Sequence, residues 1–115
     1  MRATDLFHMI HEYGALRVGQ TKAFVVQTVL ALDHVHAKGY VYRDLKPENL
    51  LVREDGYLRL TDFGFAKALR PGERAYTVCG TPDYLAPETL RQQGTYCAFP
   101  KLMPCMECSQ QVLPL

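Results

Sequence analysis

Tyr42-Arg43-Asp44-Leu45-Lys46-Pro47-Glu48-Asn49, followed thirteen residues after Asn49 by Asp62-Phe63-Gly64, is the stretch that decides how this chain is read. It places a carboxylate, an ammonium, an amide and a second carboxylate on two adjacent loops. Oxygen donors of that kind suit magnesium, which takes one or two protein ligands and keeps waters and phosphate oxygens in its other positions. A phosphoryl group in transfer needs positioning and charge neutralisation, hence a base, metal ligands and a cation. Between the two motifs, Asn49 to Val52 and Tyr57 to Leu60 are short apolar runs around Glu54-Asp55-Gly56, the pattern of a β-hairpin. Such a hairpin carries Asn49 at its entrance and Asp62 at its exit, so the two candidate ligands come together.

Working outward, Thr21 to Lys38 is the strongest helical segment, with Gly39 as its stop. Phe24, Val25, Val26, Val29, Leu30, Ala31, Leu32 and Val35 make it apolar on more than one face, as expected of a helix packed on several sides in a larger domain. Asp5 to Glu12 reads as a shorter helix, with Leu6, Met9 and Ile10 at helical offsets and Gly14 ending it. His8 and His11 share one face of it and read as solvated or half-buried residues rather than metal ligands. Arg70-Pro71-Gly72-Glu73-Arg74 is polar and turn-rich, a mobile loop by expectation. From Tyr96 the character changes: Pro100, Pro104 and Pro114 break helices and only Lys101 and Glu107 are charged, which reads as an irregular tail. The break near Tyr96 reads as a shifted frame, an intron read-through or a genuine alternative end.

The size, 115 residues, allows one small domain with a modest core. Thirteen Lys and Arg against twelve Asp and Glu leave a net charge of +1, which argues against a dedicated nucleic-acid or membrane-surface binder. No run of eighteen apolar residues predicts a spanning helix, and Met1-Arg2-Ala3-Thr4-Asp5 lacks a secretory signal, so a cytoplasmic setting is expected. Cys79, Cys97, Cys105 and Cys108 read as free thiols, since Cys105-x-x-Cys108 has no second pair to complete a zinc site.

With Gly80-Thr81-Pro82-Asp83-Tyr84-Leu85-Ala86-Pro87-Glu88 downstream, these motifs together resemble the protein kinases, whose signature is a catalytic loop ending in Asn, then Asp-Phe-Gly, then Ala-Pro-Glu. Tyr42, the run Thr61-Asp62-Phe63-Gly64-Phe65-Ala66-Lys67 and Thr77-Val78-Cys79-Gly80-Thr81-Pro82 resemble the AGC group, in particular its cyclic-nucleotide-dependent members. The resemblance implies an α+β fold: a fragment of the kinase fold, mainly the helical C-terminal lobe with its catalytic-loop hairpin and activation segment, the N-terminal lobe being absent. The expected division is a partial kinase domain over residues 1–95 and a divergent tail over 96–115.

By that resemblance the chain is a serine/threonine kinase piece that transfers the γ-phosphoryl of ATP, with Mg2+, to Ser or Thr of protein substrates carrying basic residues near the acceptor. Asp44 is implied as the catalytic base and Lys46 as the cation on the transferring phosphate; a turn aspartate and an exposed lysine are the bland alternatives. Asn49 and Asp62 are implied as the metal ligands, and Asp5, Glu48 and Leu51 complete the nucleotide set, Leu51 under the adenine and Asp5 at the ribose. Leu51 reads equally as strand core, and Asp5 as a helix cap. Glu48 and Asp5 also resemble acidic groups that meet substrate arginines. Thr77 is implied as the activating phosphorylation site, Arg43 and Lys67 as the cations that would pair its phosphate, and Thr81 as the bridge between base and lysine. His36 reads as structural. The implied partners are a regulatory subunit or an upstream activating kinase, with no nucleic acid and no membrane. Missing from the pattern are a glycine-rich phosphate loop, a strand lysine with its helix glutamate, and an Asp-x-Trp-x-x-Gly helix; the chain contains no tryptophan. Activity in isolation is therefore not expected, and a non-catalytic binding fragment or a mispredicted or pseudogene product are the alternatives.

Overall fold

The computed structural model describes residues 4–96. The tail expected beyond Tyr96, with Cys97, Cys105 and Cys108, lies outside the described residues. Strand β1 (Thr4–Asp5) runs directly into helix α1 (Leu6–Tyr13) because Asp5 caps the helix, its Oδ1 accepting a hydrogen bond from the His8 amide at 2.7 Å. Gly14, at φ 81°, ends α1 and donates its N–H to the Ile10 carbonyl.

Helix α2 spans Val18–Ala37 and so starts three residues before the predicted Thr21. The extra turn is secured by Gln20, whose Oε1 accepts from the Arg17 amide at 3.1 Å. Lys38 and Gly39 close its far end through bonds back to the last turn. Only Phe24 of its apolar residues is fully buried, in a cluster with Leu6 and Leu50 that Met9, Leu16, Val52, Leu58 and Leu60 flank. The opposite face is bare: Val18, Val25, Val26, Val29 and Leu30 are all exposed. The two-faced apolarity legible in the sequence is thus real, and one of the two faces is uncovered among the described residues. No helix among them is long and apolar enough to cross a membrane.

Strand β2 (Tyr40–Val41) follows, then the site loop with a 3-10 turn at Pro47–Asn49, then β3 (Leu50–Val52) and β4 (Leu58–Leu60). These last two form the expected hairpin, with Leu50 opposite Leu60, Leu51 opposite Arg59 and Val52 opposite Leu58. Its turn is held by Gly56 N–H to the Arg53 carbonyl and by Arg53 N–H to the Tyr57 carbonyl, with Gly56 at φ 80°. β1 pairs antiparallel with β3, giving a three-stranded sheet in the order β1-β3-β4. β5 (Lys67–Ala68) pairs with β2, and β6 (Arg74–Ala75) with β7 (Thr95–Tyr96), after a second 3-10 turn (Pro82–Tyr84) and the short helix α3 (Pro87–Leu90). Val41, Leu69 and Ala75 pack into a second small core where these ribbons meet. The mixture of helices and small antiparallel sheets is α+β, as expected.

The polar, turn-rich segment Arg70–Arg74 forms a hydrogen-bonded turn: Glu73 N–H bonds the Arg70 carbonyl at 2.9 Å and Arg70 N–H bonds Glu73 Oε2 at 2.9 Å. The glutamate side chain supplies a bond that a count of turn-forming residues does not reveal.

Candidate active site

Two segments distant in sequence build the centre of the site. The loop between β2 and β3 presents Asp44, Lys46 and Asn49, and the segment before the second 3-10 turn brings in Thr81. Asp44 is 4% exposed and Asn49 6%, both polar groups inside a protein interior, so their hydrogen bonds must be made locally. They are. Thr81 Oγ1 donates to Asp44 Oδ1 at 2.9 Å, and Lys46 Nζ donates to the same Thr81 Oγ1 at 2.8 Å. Asn49 Nδ2 donates to Asp44 Oδ2 at 3.0 Å and to the Asp44 carbonyl at 2.9 Å. Lys46 Nζ also stands 3.4 Å from Asp44 Oδ2.

These bonds set the protonation state. Burial alone would raise the Asp44 carboxyl, but bonds from Thr81, Asn49 and Lys46, with the lysine charge, outweigh it and hold the group below the usual carboxylate range. Asp44 is thus an ionised acceptor, aimed by three donors.

Asp62 sits on the second loop. Thr61 ties that loop to the first by two bonds to the Asn49 carbonyl, from its N–H at 3.0 Å and its Oγ1 at 3.1 Å. Asp62 itself is exposed, adopts φ 56° and accepts from the Gly64 N–H at 3.1 Å through Oδ1. An aspartate tolerates this left-handed conformation better than most residues because its short side chain bonds the local backbone. The amide nitrogen of Asn49 is spent on Asp44, which leaves the amide oxygen as its remaining polar group. Asn49 and Asp62 therefore fit a magnesium ion carrying phosphate oxygens, since both would offer hard oxygen donors.

Two residues matter more than their sequence context suggested. Tyr42 is 2% exposed, donates its hydroxyl to the Thr61 carbonyl and stands edge-on to Phe63, ring centres 5.3 Å apart. Burial, with the nearby Asp44 and Asp62 carboxylates adding to it and a bond with Asn49 opposing, pushes the Tyr42 hydroxyl up to about 12. Gly80 has φ 107°, and a Cβ there would lie 2.6 Å from the Arg43 carbonyl oxygen, so only glycine lets this segment approach the site loop. The signal available in the sequence was only its place before Thr81.

Asp5 and Leu51, implied at ribose and adenine, stand directly opposite each other across β1 and β3, on the face of β3 away from the buried Leu50. One oxygen of Asp5 is engaged in the α1 cap, the bland reading made for it. Glu48 is exposed on the 3-10 turn. Arg43, at φ 67°, donates from Nε to the Phe65 carbonyl at 2.7 Å, while its Nη1 is buried with no hydrogen-bond partner among the described residues. Lys67 lies in β5 opposite Val41, and Thr77 is exposed with no bond to either cation. His36 is half-buried on α2, and burial, partly opposed by Asp33, lowers its imidazole from its ordinary value.

The family model described as the protein kinase domain matches residues 1–98. A cAMP-dependent protein kinase, catalytic subunit-like, of Caenorhabditis briggsae is 44% identical over 90 residues, which is 78% of this chain and 23% of that protein. The cAMP-dependent protein kinase catalytic subunit 3 of Drosophila melanogaster is 46% identical over 78% of this chain and 15% of its own length. For cGMP-dependent protein kinase 2 of Mus musculus the identity is 43%, over 78% of this chain and 12% of that protein. The chain thus spans less than a quarter of the length of each of these relatives.

Proposed function

The chain belongs to the protein kinase family, and we propose that residues 1–95 are the catalytic-loop and activation-segment part of the C-terminal lobe of an AGC-type serine/threonine kinase acting in the cytoplasm. The observation that carries this reading is the closed network of Asp44, Lys46, Asn49 and Thr81. Such a network holds a carboxylate ionised and oriented, as a base for a substrate hydroxyl requires. Asp44 would accept the hydroxyl proton and Lys46 would face the transferring phosphate, which its compact charge suits. Asn49 and Asp62 would hold Mg2+, which when bound neutralises phosphate charge, and Asp5 and Leu51 would flank the nucleoside of ATP. Glu48, exposed beside the site, suits arginines of a basic protein substrate.

Thr77 is proposed as the phosphorylation site, its phosphate to be met by Arg43 and Lys67. The Nη1 of Arg43, buried with no hydrogen-bond partner among the described residues, supports this, because a guanidinium nitrogen withdrawn from water is costly until an anion reaches it. An upstream kinase acting on Thr77 and a regulatory subunit on the same face are the partners that follow. The 115 residues alone, without a glycine-rich phosphate loop, are proposed to turn over little ATP, since positioning supplies much of the rate.

The test grafts the matched residues of this chain into the corresponding segment of the Drosophila relative and assays transfer to an arginine-containing serine peptide. Activity that Asp44→Asn lowers by about a hundredfold or more is expected. A folded chimera that is inactive, or one indifferent to Asp44→Asn, overturns the reading.

A further inference from the structure

We propose that Arg59 reads the edge of the purine base and fits this site to a 6-oxopurine nucleotide, GTP, as well as to ATP; this rests on the placement given above, Asp5 at the ribose and Leu51 under the base. Asp5 pairs with Leu51 across β1 and β3, and Leu51 pairs with Arg59 across β3 and β4, so the three form one row across the sheet. Directly opposed residues of neighbouring strands point to the same face. Leu50, Val52, Leu58 and Leu60, at the alternate positions, pack in or against the core with Phe24. That turns Leu51 and Arg59 to the other face, with Asp5. Register, not exposure, places Arg59 beside the base.

Strands about 4.8 Å apart make the row about 10 Å long, the length of a nucleoside. Its order is carboxylate, apolar side chain, guanidinium. A ribose at Asp5 and a base on Leu51 leave Arg59 at the edge of the base farthest from the glycosidic bond. The phosphates lie in another direction, along the hairpin. Asn49, whose carbonyl accepts from the Thr61 N–H at 3.0 Å, stands two residues and about 7 Å from the row. At its 6-position adenine sets a donor amine beside the acceptor N7, whereas guanine sets two acceptors there, O6 and N7. A guanidinium only donates, so it takes both guanine acceptors with its fork and meets the adenine amine donor to donor. Arg53, on the same hairpin, is spent on Asp55 at 2.8 Å. Arg59 has no hydrogen bond or ion pair among the described residues and is available for the base. The bland alternative, a solvated surface cation, would not distinguish the two purines.

The experiment titrates ATP and GTP, each with Mg2+, into the full chain by calorimetry and reads the ratio of the two affinities, from which the shared triphosphate cancels. The wild type is expected to bind GTP at least as tightly as ATP. Arg59→Ala should weaken GTP by about tenfold and ATP by no more than about twofold. Arg59→Lys keeps the charge without the fork and should lose GTP as the alanine variant does. Arg59 is exposed, so both variants keep the fold, which circular dichroism checks. A wild type that binds ATP but takes GTP more than about tenfold more weakly overturns the proposal. So does an unchanged ratio in Arg59→Ala, or an Arg59→Lys protein that retains GTP; each of these leaves the nucleotide placement standing. A chain that binds neither nucleotide overturns that placement, and the proposal with it.

Discussion

Thr81→Val removes one hydroxyl and leaves the side chain nearly the same size, which isolates the bond network around Asp44. Thr81 Oγ1 donates to Asp44 Oδ1 at 2.9 Å and accepts from Lys46 Nζ at 2.8 Å. Both partners are ionic, and each such bond contributes about 1.5–3 kcal/mol. Lys46 already stands 3.4 Å from the other Asp44 oxygen and can recover part of the loss by closing on it. Water cannot, because Asp44 is 4% exposed and the new methyl fills the gap. The net destabilisation expected is about 2–3 kcal/mol at pH 7. The assay is urea unfolding followed by circular dichroism, with Thr81→Ser as the variant that keeps the hydroxyl. The sign with pH is fixed by the carboxyl. Its folded value is depressed below 3.8, so its contribution is present above 3.8 and lost as pH falls through the folded value. The gap between wild type and Thr81→Val should therefore narrow in acid. A Thr81→Val protein within about 0.5 kcal/mol of wild type, or a Thr81→Ser protein equally damaged, would refute the reasoning.

Further outcomes follow from single residues. Gly80→Ala forces a Cβ to 2.6 Å from the Arg43 carbonyl at φ 107°, whereas Gly56→Ala, at φ 80°, meets nothing within 4 Å; urea unfolding should show about 3 kcal/mol or more for the first and about 1–2 for the second. The Tyr42 hydroxyl is raised from 10.0 to about 12, so its contribution is complete below pH 10 and lost as pH rises towards 12. Tyr42→Phe, lacking that titration, should show a flatter alkaline limb in urea midpoints across that range. Asp5→Ala should cost about 0.5–2 kcal/mol through the α1 cap, and Asp5→Ser only a fraction of that. If Asp5 also serves a ribose, both variants should weaken nucleotide binding alike in a calorimetric titration.

The β3–β4 hairpin was legible because short apolar runs around Glu54-Asp55-Gly56 are a local pattern with a local cause, and the structure pairs them in that register. Helix α2 was legible for the same reason. Its start was not, because Val18-Gly19 reads as loop and the cap comes from Gln20 rather than from a serine or aspartate before the helix. The candidate site divides similarly. Asp44, Lys46 and Asn49 stand in one short motif, but the bond from Thr81 to Asp44 joins residues 37 apart, and no local pattern encodes it. Resemblance to a family supplied Thr81. It did not supply the reason for Gly80, which is a close approach to a carbonyl across the molecule, nor the depth at which Tyr42 is buried. The excess apolarity of α2 was visible, yet which of its faces lies bare depends on where α1 and the hairpin pack.

The central claim, that Asn49 and Asp62 converge on one metal–phosphate site beside the Asp44 network, is tested most directly by the electron paramagnetic resonance of Mn2+ with ATP, manganese standing in for magnesium on oxygen ligands. Bound Mn2+ that Asn49→Ala and Asp62→Ala each release, by about tenfold or more in affinity while Thr77→Ala leaves it unchanged, is the predicted result. Binding that both alanine variants retain, in protein shown to be folded, would contradict the account.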